Sequence, residues 1–432
     1  MSAAPLDGAP SPTLDSAEKP PLPTRAKNGT IRFFKHLKDA ICYSWVNVLL
    51  VFVPIGIASK PAGMSDELVF SMNAIAIIPL AGLLSHATES VAVRLGDTLG
   101  ALLNVSFGNA VELILFIILL AKDEIRVVQA SLLGSILANL LLILGMAFLL
   151  GGLRFQEQVY NSTVTQMSAC LLSLAVMSLL LPTAFHASFS SYSTADEKTL
   201  QVSRGTSVIL LLVYVLYLMF QLKSHAYLYE STPQHIIDEE SHPGVLADML
   251  NSSSSSDSSS DSSSSDTDSS SGSNTTAKKI KRAFRHHFMS DSIEPLVETT
   301  GISQAFIGLI ILPIVGNAAE HVTAVTVAAK NKMDLAIGVA VGSSIQIAIF
   351  VTPFIVILGW IMGKDMSLYF NIFETVSLFV TAFVINFLIL DGRSNYLEGS
   401  LLIAAYVIIA VASFFYPDGC EASQIGGSEG SC

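Results

Sequence analysis

Two glutamates lie where the surrounding residues are almost wholly apolar. Glu112 falls in "GNAVELILFIILLAK" (108–122) and Glu320 in "GNAAEHVTAVTVAAK" (316–330). Each is preceded by a Gly-Asn pair. On a helix, residues three apart share a face, so Asn109 lies beside Glu112, and Asn317 beside Glu320 with Thr323 beyond it. Gly108 and Gly316 weaken the helix at that point and leave a carbonyl free to turn toward an ion. In the next apolar tract of the first half, Ser131, Ser135 and Asn139 recur at steps of four, a polar stripe on one side of a helix. The corresponding tract of the second half carries Ser343 and Gln346 on one face. An ionised glutamate at the centre of a spanning helix costs about 2.5–3.5 kcal/mol, and two of them repel one another unless a positive charge lies between. Hard divalent cations take oxygen ligands, about six to eight for calcium, from carboxylates, carbonyls and water. Two carboxylates, the Asn amides and the loosened carbonyls make up such a set, whereas thiolate and imidazole clusters suited to softer metals are absent from the sequence. A buried carboxyl also holds a proton readily when the metal leaves. A two-glutamate site is then nearly neutral with calcium or with protons bound and strongly negative when empty, which would couple the two fluxes. His321 points off the Glu320 face and reads as a hydrogen-bonding group behind the ligands, as do Asn139 and Ser131. Ser135 and Ser343 either face the ion or bond their own backbone, and Gly134 and Gly342 read as close-packing positions.

The elements that must position these groups are membrane helices. Of the 432 residues 51% are hydrophobic and 13% charged, and the mean hydropathy is +0.58, a membrane composition. Tracts long enough to cross a bilayer, about 20 residues each, fall at 40–58, 67–84, 98–121, 126–150, 163–182, 203–222, 302–329, 335–361, 368–390 and 396–416. The fold expected is all-α and polytopic. Residues 1–38, proline-rich at the start and without the apolar core of a cleavable signal, read as a disordered cytosolic tail. Arg25, Lys27, Arg32, Lys35 and Lys38 precede a leading transmembrane helix at 39–60 and place the N-terminus in the cytosol. The net charge of −12 owes much to one linker and points to no nucleic-acid partner. Cys42, Cys170, Cys420 and Cys432 lack metal-ligand spacing and offer at most one pair, in the 418–432 tail.

Apolar tracts stop between 223 and 290, where the run "NSSSSSDSSSDSSSSDTDSSSGSN" cannot build a core. This reads as a solvated acidic linker, with a regulatory element or kinase substrate as the alternative. It separates two halves, 66–222 and 291–417, that superimpose without gaps. Gly100, Gly108, Asn109, Ala110, Glu112, Lys122, Gly134 and Ser135 fall on Gly308, Gly316, Asn317, Ala318, Glu320, Lys330, Gly342 and Ser343. An internal repeat in a transporter commonly means two halves meeting around a midplane site.

"FGNAVELI" with "QASLLGSILANLLLILG", and "LPIVGNAAEHVTAVTVAAKNKMDLAIGVAVGSSIQIAIFVTP", resemble the two repeat signatures of the cation/proton exchangers, specifically the vacuolar calcium/proton exchangers. The resemblance covers roughly 40–222 and 291–416. It implies a leading helix followed by two inverted five-helix repeats, an acidic cytosolic linker and a multi-pass protein of the vacuolar membrane. Glu112 and Glu320 would bind the transported ion and trade it for protons. Calcium and protons would be the substrates, lipid the surroundings, and no resident cofactor or enzyme activity is implied. The oligomeric state is not legible. Coupling to sodium or potassium, or a preference for manganese, remains the alternative within transport; a non-transporting membrane paralogue with a calcium- or partner-binding linker is the alternative outside it. One departure stands out. "AKKIKRAFRHHFMSDSIEPL" (277–296) is too basic and polar to span, so the second repeat is expected to be one helix short or to make a distorted partial crossing. Without that helix the "GNAAE" span would run parallel to its partner and Lys330 and Lys332 would face the lumen, against the positive-inside bias.

Overall fold

The structure is a computed structural model, and it describes residues 45–59, 61–95, 108–190, 192–229 and 303–416. The chain divides into two units, 1–47 and 48–432; the account below concerns the second. A helix stands in each of the ten expected tracts. Phe52–Ser59 (α1) ends the leading segment, and Asn73 of the next helix, Asp66–Leu95 (α2), donates to Gly56 O and ties the two together. Ala110–Ala121 (α3) follows, then Ile125–Leu137 (α4), a π-helical segment Ala138–Ile143 and Leu144–Arg154 (α5), which form one apolar span of 30 residues. At about 1.5 Å per residue it exceeds a hydrocarbon layer of about 30 Å. Ser162–His186 (α6) and Tyr192–Met219 (α7) complete the half.

The second half repeats this pattern at a displacement of 208 residues, the spacing between Asn109 and Asn317. Gln304–Phe306 (α8), a π-helical segment Ile307–Ile311 and Leu312–Gly316 (α9) lead into Ala318–Ala328 (α10), the counterpart of α3. Met333–Gln346 (α11), a π-helical segment Ile347–Val351 and Thr352–Met362 (α12) match α4, its π segment and α5. Ile372–Leu388 (α13) and Tyr396–Phe414 (α14) close the fold. The backbone carries the repeat in finer detail. Asp123 (φ 71°) and Asn331 (φ 58°) are the only non-glycine residues of positive φ among those described, and they too are 208 apart. Asp and Asn tolerate the left-handed region better than other side chains, so each ends its helix in a tight reversal.

The reversals define two faces. At the first, Lys364 pairs with Asp123 at 2.9 Å, Arg126 with Glu374 at 3.2 Å, and Tyr416 donates to Asn371 Oδ1. At the opposite face Gln158 Nε2 donates to Asn331 Oδ1 at 3.0 Å, Asn161 N to Asp334 Oδ1, and a short strand Gln158–Val159 (β1) pairs antiparallel with Arg393–Ser394 (β2). Since α3 ends at the Asp123 face and α10 at the Asn331 face, the two glutamate helices run in opposite directions. The parallel arrangement entertained from the sequence therefore does not hold. Described chain stops at Tyr229 on the Asn331 face, where Asn161 Nδ2 donates to Leu228 O, and resumes at Ser303 on the other, where its hydroxyl donates to Ser413 O. The 277–296 stretch lies outside the described residues, as do the acidic run and the Cys420–Cys432 pair; Cys170 is an exposed free thiol.

The halves interlock where glycine lets backbones touch. A Cβ on Gly134 would collide with the Leu309 carbonyl and Pro313, and one on Gly308 would lie 2.7 Å from Ala130 Cβ. The close-packing role expected of Gly134 is met. Gly342 has no atom within 4 Å of where a Cβ would stand, among the described residues; its counterpart contact, displaced by 208, would fall on 101–105, outside them.

Candidate functional site

The Gly-Asn pairs break their helices in matching ways. Asn109 has φ −89° and ψ 20°, and Asn317 φ −88° and ψ 15°. The helices joined at Asn317, Gln304–Gly316 and Ala318–Ala328, meet at a bend of 55°. Each Asn occupies the N-cap position of the helix that follows, and each starts it through its carbonyl, which accepts from Leu113 N or His321 N. Neither uses its side chain as a cap, although Asn is among the best capping residues. The amides are committed elsewhere.

They go to the neighbouring spans. Asn317 Nδ2 donates to Asn139 Oδ1 at 2.9 Å, Asn139 Nδ2 to Ser343 Oγ at 3.2 Å, Ser343 Oγ to Asn109 Oδ1 at 2.7 Å, and Asn109 Nδ2 to Gln346 Oε1 at 3.1 Å. Three hydrogen bonds thus run from the break at Asn317 to the break at Asn109, and a fourth continues from Asn109 to Gln346, with every donor pointing the same way along this relay. This direction fixes the amide orientations. It leaves the two Asn unequal, because Asn109 Oδ1 is taken by Ser343 whereas Asn317 Oδ1 is buried with no donor.

Further buried acceptors without donors come from the two glutamates: both carboxylate oxygens of Glu112 and Oε2 of Glu320. Glu112 and Glu320 stand in the first turns of α3 and α10, where the helix dipole favours negative charge, and they lie within electrostatic reach of each other. A Cβ on Gly316 would be 3.5 Å from Glu112 Cγ and 3.9 Å from its Oε1, so the second break rests on the glutamate of the first repeat. Ser135 faces Glu112 without completing a hydrogen bond to it. Ser131 is buried, and its hydroxyl has no partner. His321, expected to bond behind the ligands, instead has Nε2 buried and unpartnered. Gly108 touches nothing within 4 Å of its Cβ direction among the described residues.

The chemistry of the donor set is one-sided. A buried acceptor with no donor is costly, and here such oxygens come from two carboxylates and an amide, the set a hard cation or protons would satisfy. Among the described residues no three acidic, His or Cys side chains converge as a metal cluster; the oxygens here are two carboxylates supplemented by amides. A third buried carboxylate makes the contrast. Glu374, only 1% exposed, pairs with Arg126 and accepts from Asn371 N in a capping box. Sequence reading passed over this residue, and its neighbour Asn371 before an apolar run was the signal of a cap. It also passed over Gln158, which is fully buried and donates to Ala328 O at 2.9 Å as well as to Asn331, latching the end of α10. Its counterpart 208 residues on is Met366, which packs against Gly359.

The sequence matches the family described as sodium/calcium exchanger protein over residues 67–223 and 284–415. It is 45% identical over 380 residues to the vacuolar calcium ion transporter of Schizosaccharomyces pombe, covering 88% of this chain and 87% of that one. It is 43% identical over 369 residues to the Ca(2+)/H(+) antiporter of Aphanothece halophytica, covering 85% and 96%. Among solved structures, native YfkE superimposes with a TM-score of 0.67 at 33% identity, over 85% of this chain and 99% of that one; its selenium-substituted form is described as a Ca2+/H+ antiporter protein.

Proposed function

The chain belongs to the sodium/calcium exchanger protein family, and from that premise we propose that it is a secondary active antiporter exchanging cytosolic calcium for lumenal protons across the vacuolar membrane. Proton coupling and the vacuolar setting are supported by the relatives, named as Ca(2+)/H(+) antiporters and vacuolar calcium ion transporters. One observation of this structure carries the rest: Glu112 and Glu320, whose buried carboxylates keep oxygens without donors, lie within electrostatic reach of each other, with Glu112 against Gly316 at the break of the second repeat.

In this reading Glu112 and Glu320 bind calcium with Asn317 Oδ1, and Ser135 lies close enough to join them. Asn109, Asn139, Ser343 and Gln346 hold the two breaks in register, while Gly108 and Gly316 permit the breaks. With calcium bound the two carboxylates are neutralised, and with two protons they are neutral again. Empty, the site carries two negative charges in a layer where one costs about 2.5–3.5 kcal/mol, so the empty protein is held from reorienting. That restriction is what converts two binding equilibria into exchange. Ser131 and His321 border the ligands without bonding them.

We assign the Asn331 face to the cytosol. It carries Arg154, Lys223, Lys330, Lys332 and Arg393, and the positive-inside bias prefers the clustered Lys330 and Lys332 in the cytosol. The linker 223–290 leaves from this face and is therefore cytosolic, between repeats 66–222 and 291–417. The test is calcium uptake into vesicles holding the purified protein with an acidic interior. Uptake should collapse when a protonophore pair dissipates the pH gradient. Uptake that survives but requires a sodium gradient would replace this reading with sodium coupling.

A further inference from the structure

Exchange leaves one intramembrane cation without a task. In α7 the polar opening turns, with Asp196, Glu197, Lys198 and Gln201, give way after Arg204 to an apolar tract reaching Leu222. The Arg204 guanidinium lies over the Trp360 ring, with Cζ 5.2 Å from its centroid. Trp360 belongs to the last turn of α12, just before that helix ends at Gly363 on the Asp123 face. The polar-to-apolar boundary of one helix and the end of its neighbour thus independently place Arg204 at the edge of the hydrocarbon layer, where Trp is enriched.

No carboxylate answers this charge among the described residues. Asp123 is paired with Lys364, Asp196 with His186, Glu374 with Arg126 and Glu197 with Lys198, while Arg204 Nε is buried without a partner. Trp360 remains 52% exposed. Running from Arg204 toward the membrane centre, Val208, Ile209, Leu212, Val215, Leu216 and Met219 form an exposed apolar stripe along α7.

We propose that Arg204 and Trp360 are the headgroup seat of a bound phospholipid in the leaflet at the Asp123 face. The guanidinium takes the phosphodiester and an acyl chain lies along the α7 stripe. Arginine suits this better than lysine, because its planar fork meets two phosphate oxygens at once. At the edge of the hydrocarbon a charged pair is also less screened than in water. The indole covers one face of the guanidinium and shields the contact from competing water. A free phosphate ion shares the headgroup chemistry but has no chain for the stripe.

The two tryptophans of the chain make the test direct. In a W45F background Trp360 is the sole indole, and the full chain in detergent is titrated with dispersed dihexanoyl phosphatidylglycerol while its emission is followed. A saturable change is expected. R204Q should raise the half-saturating lipid concentration roughly tenfold, the loss of one charge-assisted bidentate contact of about 1.4 kcal/mol. R204K, which keeps the charge without the fork and serves if R204Q does not fold, should raise it about threefold. Inorganic phosphate over the same range should give no saturation. The proposal is overturned if either arginine variant titrates like its W45F parent, or if inorganic phosphate saturates Trp360 as the lipid does.

Discussion

Asn139 is the node through which the two repeats address one another, and replacing it by Leu tests the arrangement of the site. Asn139→Leu removes the bond it donates to Ser343 and the one it accepts from Asn317, at 3.2 and 2.9 Å. Ser343 still donates to Asn109, so its loss is one net hydrogen bond, about 0.5–1.5 kcal/mol. Asn317 fares worse, because its Nδ2 is left buried without an acceptor, at about 1–3 kcal/mol. Together these come to roughly 1.5–4.5 kcal/mol of folding stability, read as a lowered melting temperature of the purified protein in detergent. The second effect is on calcium. Asn317 Oδ1, a calcium ligand in the proposed site, holds its orientation because Nδ2 is anchored to Asn139; once the anchor is gone the amide rotates freely. Losing the orientation of one ligand at about 0.5–1.5 kcal/mol should raise the KM for calcium by roughly 2- to 12-fold, measured as initial uptake driven by a fixed pH gradient. The reasoning fails if Asn139→Leu melts like the parent and keeps its KM, since a node carrying both bonds cannot be lost silently.

Glu112→Gln and Glu320→Gln should each abolish exchange while leaving the protein inserted, because one negative charge can no longer neutralise a divalent ion. A site left with an uncompensated charge adds about 2.5–3.5 kcal/mol, or roughly 100-fold in rate, and Glu→Asp should be milder; a Glu320→Gln protein that transports normally would remove the paired-carboxylate site. Gln158→Met, which installs the residue of the other repeat, strips two buried hydrogen bonds from the end of α10 and should cost about 1–3 kcal/mol of stability, seen as faster hydrogen exchange at 318–332. Exchange there that stays at the parental rate would mean the latch does not hold that helix. Deleting 251–274, a run without apolar side chains, should leave targeting and pH-driven uptake intact; retention in the endoplasmic reticulum would show a structural role.

Hydropathy, helical spacing and self-similarity are local properties of a chain, and they were legible. They place Asn109 with Glu112 and Ser343 with Gln346, and the constant spacing between "GNAVE" and "GNAAE" carries over to helices, π segments and the left-handed Asp123 and Asn331. The family resemblance rests on the same residues. Which oxygens are satisfied is a different kind of fact. Sequence treats Asn109 and Asn317 alike, yet one carbonyl is occupied and the other free, because the donors come from Ser343, 234 positions away, and the anchoring acceptor from Asn139, 178 positions away. Glu374 is a third buried carboxylate, and Arg126, which pairs with it, is 248 positions distant. The same holds for direction: a basic stretch at 277–296 argues against an inverted second repeat, but the orientation of α10 is decided where Gln158 receives its end, by a contact no local pattern encodes. Buried polar groups must find partners wherever the fold brings them, so the sequence by itself determined what the site is made of, and only the packing of distant spans decided which of those groups remain free to bind.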